Sequence, residues 1–136
     1  EVTEQEKLAI IAYARKYHLK IVALGYYLSW ADRNDMKLGP LEWPKLMQRA
    51  AVVIAGTFHG TLYAIKTQSQ FVTLPNERIK YRVKKPLEAA GIESRVLMDP
   101  NCLGSLLETQ IDYAEVMARL QPYVDSSRDY LHTHLD

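Results

Sequence analysis

A histidine stands where an apolar run gives way to a helical pattern, a place that often carries chemistry. The run "AVVIAG" at residues 51–56 is followed by Thr57 and then by Phe58-His59-Gly60. Such a strand-to-helix turn presents backbone N–H groups at the positive end of a helix dipole, which favours a phosphate or carboxylate. Histidine, with a reference pKa of about 6.5, both donates and accepts protons near neutral pH. The turn therefore predicts an anion site with proton transfer at His59. The alternative is that His59 caps the turn and Phe58 packs beneath the sheet.

A second loop supplies positive charge. The apolar run at residues 70–74 leads into Pro75-Asn76 and then into Arg78, Lys80 and Arg82. A guanidinium group matches the geometry of a carboxylate or phosphate. We therefore assign these three cations, with Asn76, to ligand binding, whereas the lysines at 84 and 85 are typical of a solvated helix face.

A third loop, at residues 26–40, mixes aromatic and acidic side chains. Tyr26 and Asp32 are its candidates for sugar binding, because aromatic rings stack on sugars and carboxylates accept hydroxyl protons. The alternative is that the aromatic residues are half-buried at a domain interface. The Gly-x4-Gly-Lys-Ser/Thr and Gly-x-Gly-x-x-Gly patterns are absent, so neither phosphate-loop nor dinucleotide motifs support a nucleotide function.

The order of patterns predicts helices alternating with short strands. Strands are expected at residues 20–25, 51–55 and 70–74, with a fourth short strand within 93–99. Helices are expected near the start, where Thr3 and Glu6 form a capping-box pattern, and at residues 41–50, 59–67 and 81–91. Residues 26–40 and 99–110 are expected to be loops, and residues 111–136 one long helix kinked at Pro122.

Apolar strands between helices indicate a parallel sheet covered on both faces. We therefore predict one Rossmann-like, three-layer α/β domain over residues 1–136, with a four-stranded parallel sheet. Ligands of such sheets bind beyond the carboxyl ends of the strands. The loops expected there are residues 25–35, 56–60 and 75–80, which gather the candidate residues at one edge.

The composition excludes several classes of function. The chain has 136 residues, and its 17 Lys+Arg against 16 Asp+Glu give a net charge of +1, so no global field attracts nucleic acid. No apolar run reaches the roughly 18 residues of a membrane span, and no signal peptide is visible. The single cysteine fits a reducing compartment, and we expect a cytoplasmic location. Because the chain begins with Glu1, we expect a processed chain or a piece of a longer protein.

The chain also resembles a known family. The run "LGPLEWPKLMQRAAVVIAGTFHGTLYAI", followed by "FVTLPN", an Arg/Lys segment and "LEAAGI", is similar to the C-terminal half of polysaccharide pyruvyl transferases. The tail "IDYAEVMARLQPYVDSSRDYLHTHL" is similar to the closing helix of that family. The resemblance covers the chain from about Ile21 onward.

The resemblance implies the C-terminal half of a two-domain, glycosyltransferase-B-like transferase whose active site lies between its halves. Such an enzyme moves pyruvate from phosphoenolpyruvate onto two hydroxyls of a sugar as a ketal, and the sugar belongs to a polysaccharide or to its lipid-linked precursor. The implied catalytic residue is His59, and Thr57, Phe58 and Gly60 join the substrate site. The implied partners are the donor, the saccharide acceptor at the inner face of the membrane and a missing N-terminal domain. No metal or other cofactor is implied.

The chain departs from the family at one position. Many members carry Arg where this chain has Thr57, so either Arg78 or Arg82 takes over the anion or the donor differs from phosphoenolpyruvate. Two other functions stay open: the nucleotide-sugar-binding half of a glycosyltransferase, and a non-catalytic carbohydrate-binding module. Fold alone does not separate them.

Overall fold

A computed structural model describes the backbone of residues 2–77 and 79–135, and the side chains of these ranges except residues 124 and 126–135. The elements in chain order are α1 (Glu4–Lys16), β1 (Val22–Leu24), β2 (Arg33–Asp35), α2 (Glu42–Arg49), β3 (Val53–Ala55), α3 (Phe58–Lys66), β4 (Phe71–Thr73), α4 (Lys80–Ala90), two short 3₁₀ turns (Glu93–Arg95 and Pro100–Cys102), α5 (Leu103–Glu108) and α6 (Tyr113–Leu135).

The central strands are β3 and β4, which pair in parallel. Val53 lies opposite Phe71 and Ala55 opposite Thr73, and Thr73 also forms a single parallel bridge to Val96. All three residues of β4 are buried. A strand that is apolar on both faces requires cover on both faces, and the helices supply it.

Alternate residues of β4 enter two separate core clusters. Phe71 belongs to the cluster with Val83 on α4, which also takes in residues of α3 and α6. Val72 belongs to the cluster with Ile10 on α1 and Leu107 on α5. Because side chains of a strand alternate between faces, α3, α4 and α6 cover one face of the pair and α1 and α5 cover the other.

The strands β1 and β2 form a second parallel pair, in which Ala23 lies opposite Asn34. The side chain of Asn34 accepts a hydrogen bond from the Leu28 N–H at 2.8 Å and donates to the Leu28 carbonyl at 3.1 Å. The Asp32 carboxylate accepts from the Ile21 N–H at 2.7 Å. Side-chain bonds to the backbone thus fix both the loop and the amino end of this pair.

Glycine is required where β1 ends. Gly25 has φ of +82°, and a Cβ there would lie 2.7 Å from Cζ2 of Trp43. Trp43, on α2, also packs against the core cluster of Phe71. The close approach of the indole to the Gly25 backbone therefore ties the β1–β2 pair to the rest of the domain.

The prediction of a single four-stranded sheet is wrong. Among the described residues the strands form two two-stranded parallel sheets, β1 with β2 and β3 with β4. The expected fourth strand is a 3₁₀ turn at Glu93–Arg95 followed by the one bridge at Val96. The guanidinium of Arg95 is buried here, and its Nε donates to the Phe71 carbonyl at 2.8 Å while Nη1 donates to the Leu106 carbonyl at 2.7 Å. Arg95 therefore joins β4 to α5 without a strand.

Two expected loops also contain regular structure. Residues 26–40 include β2, and residues 99–110 include a 3₁₀ turn and α5. The expected helices are confirmed with small shifts of boundary: the Thr3 capping box is present, Gly91 closes α4 in the left-handed conformation, and Pro122 lies within α6. The chain is an α/β protein with small parallel sheets.

Candidate anion site at the amino end of α3

Thr57 is the residue that starts α3. Its backbone is extended, and its hydroxyl accepts a hydrogen bond from the Gly60 N–H at 2.9 Å. A threonine in this position stabilises a helix by about 1 kcal/mol relative to alanine. The presence of threonine rather than arginine at this place thus has a local reason. The alternative that His59 caps the turn is wrong, because Thr57 does so.

His59 is exposed in the first turn of α3. Its ring meets the edge of the Phe58 ring, with the ring centroids 5.6 Å apart. Within the part of the chain that the structure describes, neither side-chain nitrogen of His59 has a hydrogen-bond or ion-pair partner. The imidazole is therefore open to a ligand or to solvent.

Phe58 carries a cation on its ring. The guanidinium carbon of Arg82 lies 4.4 Å from the ring centroid, a cation–π contact between α3 and α4. Phe58 also packs against the core cluster that contains Phe71. The alternative that Phe58 packs beneath the sheet is thus correct in part, since the ring packs against the core cluster and also holds Arg82 beside the turn that bears His59.

Asn76 connects the loops that leave β3 and β4. Its amide nitrogen donates to the Gly56 carbonyl at 3.3 Å, and its amide oxygen accepts from the Ile79 N–H at 2.9 Å. The Asn76 carbonyl accepts from the Lys80 N–H at 3.0 Å. One side chain thus brings together the turn before α3 and the start of α4. Asn76 has a structural role whether or not it also contacts a ligand.

A buried hydroxyl pair fixes α3 on the sheet. The hydroxyls of Thr61 and Thr73 are 2.9 Å apart, and the Thr61 hydroxyl is 3.0 Å from the Thr57 carbonyl. Both threonines are fully buried. The amino end of α3 is therefore anchored directly to the carboxyl end of β4, a pairing that no sequence pattern indicates beyond the presence of two threonines.

Two helices at this edge, α3 and α4, have no acidic residue in their first turns, although the exposed Glu77 lies in the loop before α4. The first turns of α1 and α2 contain Glu4, Glu6 and Glu42, as the helix dipole favours, but the first turns of α3 and α4 contain no acid. Instead, α4 begins with Lys80 and Arg82, which lie at the unfavourable end of its dipole. Positive charge and helix N–H groups are thus concentrated at one edge of the β3–β4 sheet.

The predicted site residues fall into three groups. The structure brings together those on the turn, the Asn76 loop and the start of α4: Thr57, Phe58, His59, Gly60, Asn76, Lys80 and Arg82. Arg78 lies outside the described residues. Tyr26 and Asp32 belong to the β1–β2 pair.

Tyr26 and Asp32 lie at opposite ends of that pair. Tyr26 follows Gly25 at the carboxyl end, and partial burial raises the pKa of its hydroxyl. Asp32 precedes β2 and binds the Ile21 N–H, so it lies at the amino end. The prediction that both residues lie at the carboxyl ends of the strands is therefore wrong for Asp32. The segment predicted to be a loop contains β2, which runs parallel to β1, and Asp32 precedes β2 at the amino end of the pair.

The described ranges contain neither a cluster of metal-ligating side chains nor a helix that could cross a membrane. No group of three or more His, Cys, Asp or Glu side chains there could hold a metal ion. No helix in the same ranges has the length and apolar character needed to cross a bilayer.

Comparisons with protein-family models, with curated proteins and with solved structures gave no match.

Proposed function

We propose that the edge formed by α3, α4 and the Asn76 loop binds the anionic donor of a transferase, and that the donor is phosphoenolpyruvate. The observation that carries the proposal is the meeting of two helix amino termini whose first turns contain no acidic residue and carry His59, Lys80 and Arg82. Phosphoenolpyruvate has a phosphate and a carboxylate, which both match N–H groups and cations. The resemblance to polysaccharide pyruvyl transferases supports this choice of donor.

The reaction that we propose forms a pyruvate ketal on a sugar. A proton is added to the methylene carbon of the donor, the neighbouring carbon becomes cationic, and one sugar hydroxyl attacks it. A second hydroxyl displaces phosphate at the same carbon. The two hydroxyl protons end on the new methyl group and on the released phosphate.

His59 is the residue that we propose moves a proton in this reaction. It is exposed next to Phe58, whose ring carries the Arg82 guanidinium, and next to the N–H groups at the start of α3, so a donor bound there would lie within reach of its imidazole. Lys80 and Arg82 would stabilise the charge of the departing phosphate. Thr57, Gly60 and Asn76 would hold the backbone of the turn rather than react.

The acceptor that we propose is a sugar of a polysaccharide or of its lipid-linked precursor, held by a second domain across the site. This chain would then bind the donor and complete the reaction only with that domain. The nucleotide-sugar-binding half of a glycosyltransferase and a non-catalytic carbohydrate-binding module are the competing functions, and donor binding distinguishes them.

The test combines binding with turnover. Titration of the chain with phosphoenolpyruvate, followed by NMR of the Phe58 and His59 amides, should show saturable shifts, and Arg82→Gln should weaken binding. His59→Gln should leave binding nearly unchanged but lower turnover of the full-length enzyme by about 100- to 10,000-fold, the usual contribution of a positioned acid or base.

Lys66→Gln is the matched control, because Lys66 is an exposed cation at the opposite end of α3. Tighter binding of uridine diphosphate than of phosphoenolpyruvate would assign the site to a glycosyltransferase. Binding of neither anion would reject the donor site. Normal turnover by His59→Gln would remove His59 from the mechanism.

A further inference from the structure

A separate groove lies along β2 and α2, away from the α3 turn. It is open to solvent and has a volume of about 650 Å³. Its lining comes from β2 with the three residues after it and from one face of α2: Arg33, Asn34, Asp35, Met36, Lys37, Leu38, Glu42, Lys45, Leu46 and Arg49. None of these residues belongs to the proposed donor site.

The groove follows the backbone edge of β2. Every residue from 33 to 38 lines it. Successive side chains of an extended segment point to opposite faces, so a space that touches all of them lies beside the strand rather than on one face. Since β1 occupies one edge of β2, the groove lies at the other edge.

The ladder bonds show which backbone groups face the groove. The Arg33 N–H donates to the Ile21 carbonyl at 3.2 Å, and the Asp35 carbonyl accepts from the Gly25 N–H at 2.8 Å. In a parallel pair alternate residues bond to the same neighbour, so Arg33 and Asp35 face β1 and the N–H and C=O of Asn34 face away from it. Within the described ranges these two Asn34 backbone groups have no hydrogen-bond partner.

The groove has an excess of positive charge. Its basic residues are Arg33, Lys37, Lys45 and Arg49, and its acidic residues are Asp35 and Glu42. Arg33 is already paired with Asp35, with Nη2 2.6 Å from Oδ2 and Nε 3.0 Å from Oδ1. The three remaining cations face one carboxylate, which favours an acidic occupant.

Apolar side chains accompany the charges. Leu38 and Leu46 line the groove. Met36, which also lines it, is 52% exposed, and the nearby Leu41 is 80% exposed. An occupant that alternates acidic and apolar residues would therefore meet cations with one set of side chains and these apolar groups with the other.

We propose that this groove binds an extended acidic segment of a partner protein, which adds to the free edge of β2 as a third strand. The Asn34 N–H and C=O would bond to the backbone of the segment, and Lys37, Lys45 and Arg49 would contact its carboxylates. The helix α2 forms the outer wall. This interaction does not depend on the proposed donor site, because the two share no residue.

The experiment uses a fluorescent eight-residue peptide of alternating glutamate and valine as the probe. We expect saturable anisotropy binding to the chain, slower hydrogen exchange at the Asn34 amide, and at least about tenfold weaker binding to the variant with Lys45→Glu and Arg49→Glu. Lys20→Glu together with Lys66→Glu is the control variant, with the same change of charge at exposed positions outside the groove, and should retain most of the affinity.

Three further peptides separate strand addition from simple charge attraction. A peptide with lysine in place of glutamate should not bind. Two glutamate–valine peptides keep their charge but lose the N–H groups of one edge, by N-methylation of the valines in one and of the glutamates in the other, and the peptide whose methylated edge faces β2 should bind at least about tenfold more weakly. Equal binding of both N-methylated peptides and the parent peptide, or no binding of the parent peptide, would overturn the proposal. If the chain forms a dimer and the Lys45→Glu, Arg49→Glu variant is monomeric, the groove binds a second copy of the chain, and the proposal is overturned.

Discussion

The two pairs of parallel strands, β1–β2 and β3–β4, are alike in length and pairing but differ in what surrounds them. In the β3–β4 pair the residues of β4 are all buried, and helices cover both faces. In the β1–β2 pair Val22 is 43% exposed and Arg33 is exposed, and no residue of β2 is buried. The first pair is held by apolar burial, whereas the second buries only Ala23 of its six strand residues and relies on bonds from Asn34 and Asp32 to the backbone.

This difference separates two kinds of binding surface. The β3–β4 pair supplies a rigid platform, and the proposed donor site lies on the loops at its carboxyl end. The β1–β2 pair keeps one backbone edge unpaired within the described ranges, and the proposed peptide groove lies along that edge. The pair β3–β4, which we call the covered pair, thus holds the ligand-binding loops in fixed positions. The pair β1–β2, which we call the uncovered pair, instead offers its own backbone N–H and C=O groups to a binding partner.

The largest effect is expected from removing a core side chain of the covered pair. Phe71 is fully buried on β4, so Phe71→Ala should lower the free energy of unfolding by about 3–5 kcal/mol. Val22→Ala on the exposed strand should lower the free energy of unfolding by less than about 1 kcal/mol, because folding buries little of the Val22 side chain. Denaturant unfolding monitored by circular dichroism measures both values.

Phe71→Leu gives a second point on the same scale and should cost less than Phe71→Ala, since it leaves a smaller cavity. Similar costs for Phe71→Ala and Val22→Ala would contradict the distinction between the pairs.

The covered pair was predictable from sequence, and the uncovered one only in part. The runs at 51–55 and 70–74 are apolar and bounded by turn residues, so their burial and parallel pairing could be predicted. The segment Arg33-Asn34-Asp35 has little strand propensity, since Asn and Asp are depleted in strands. Its extended form depends on pairing with β1 and on the Asn34 side chain, which local patterns do not report.

The candidate site shows the same limit. The position of His59 at a strand-to-helix turn followed from the pattern, but the contacts between Arg82 and Phe58 and between Asn76 and Gly56 join residues 20 or more positions apart. Such contacts depend on how α3 and α4 pack on the sheet. The helix α5 lies in a segment predicted to be a loop, although Leu103, Leu106 and Leu107 have helical spacing.

A smaller effect is expected from the polar bonds that hold the uncovered pair. Asn34→Ala removes both bonds to Leu28 and should lower the free energy of unfolding by about 1–2 kcal/mol, which exceeds the cost of Val22→Ala. The Gly25 amide donates across the pair to the Asp35 carbonyl. Its hydrogen should exchange faster in Asn34→Ala, by the factor that corresponds to this loss of free energy.

Asn34→Asp is the matched variant: it keeps the acceptor for the Leu28 N–H but replaces the donor by a carboxylate oxygen that faces the Leu28 carbonyl. It should therefore also be destabilised at neutral pH. A cost for Asn34→Ala no greater than that for Val22→Ala would show that side-chain bonds do not hold the β1–β2 pair.

The smallest effect is expected from the ion pair on the uncovered strand. Two hydrogen bonds from Arg33 lower the pKa of the Asp35 carboxyl below its ordinary value of about 3.9. Because the pKa is lower in the folded chain, the pair stabilises the fold above the unfolded value, and this contribution disappears as the pH falls through the folded value. The pair is exposed to solvent, so salt should weaken it.

Arg33→Gln should therefore raise the pKa of Asp35 toward its ordinary value, as followed by NMR of the carboxyl carbon during an acid titration. Arg15→Gln is the control, since Arg15 is an exposed cation on α1 that makes no ion pair among the described residues. Arg33→Gln should also weaken binding of the glutamate–valine peptide, because it removes a cation from the groove and leaves the Asp35 charge unpaired there. An unchanged pKa of Asp35 in Arg33→Gln would show that the ion pair is not held in solution, and Asp35 would then repel an acidic strand even in the unaltered chain.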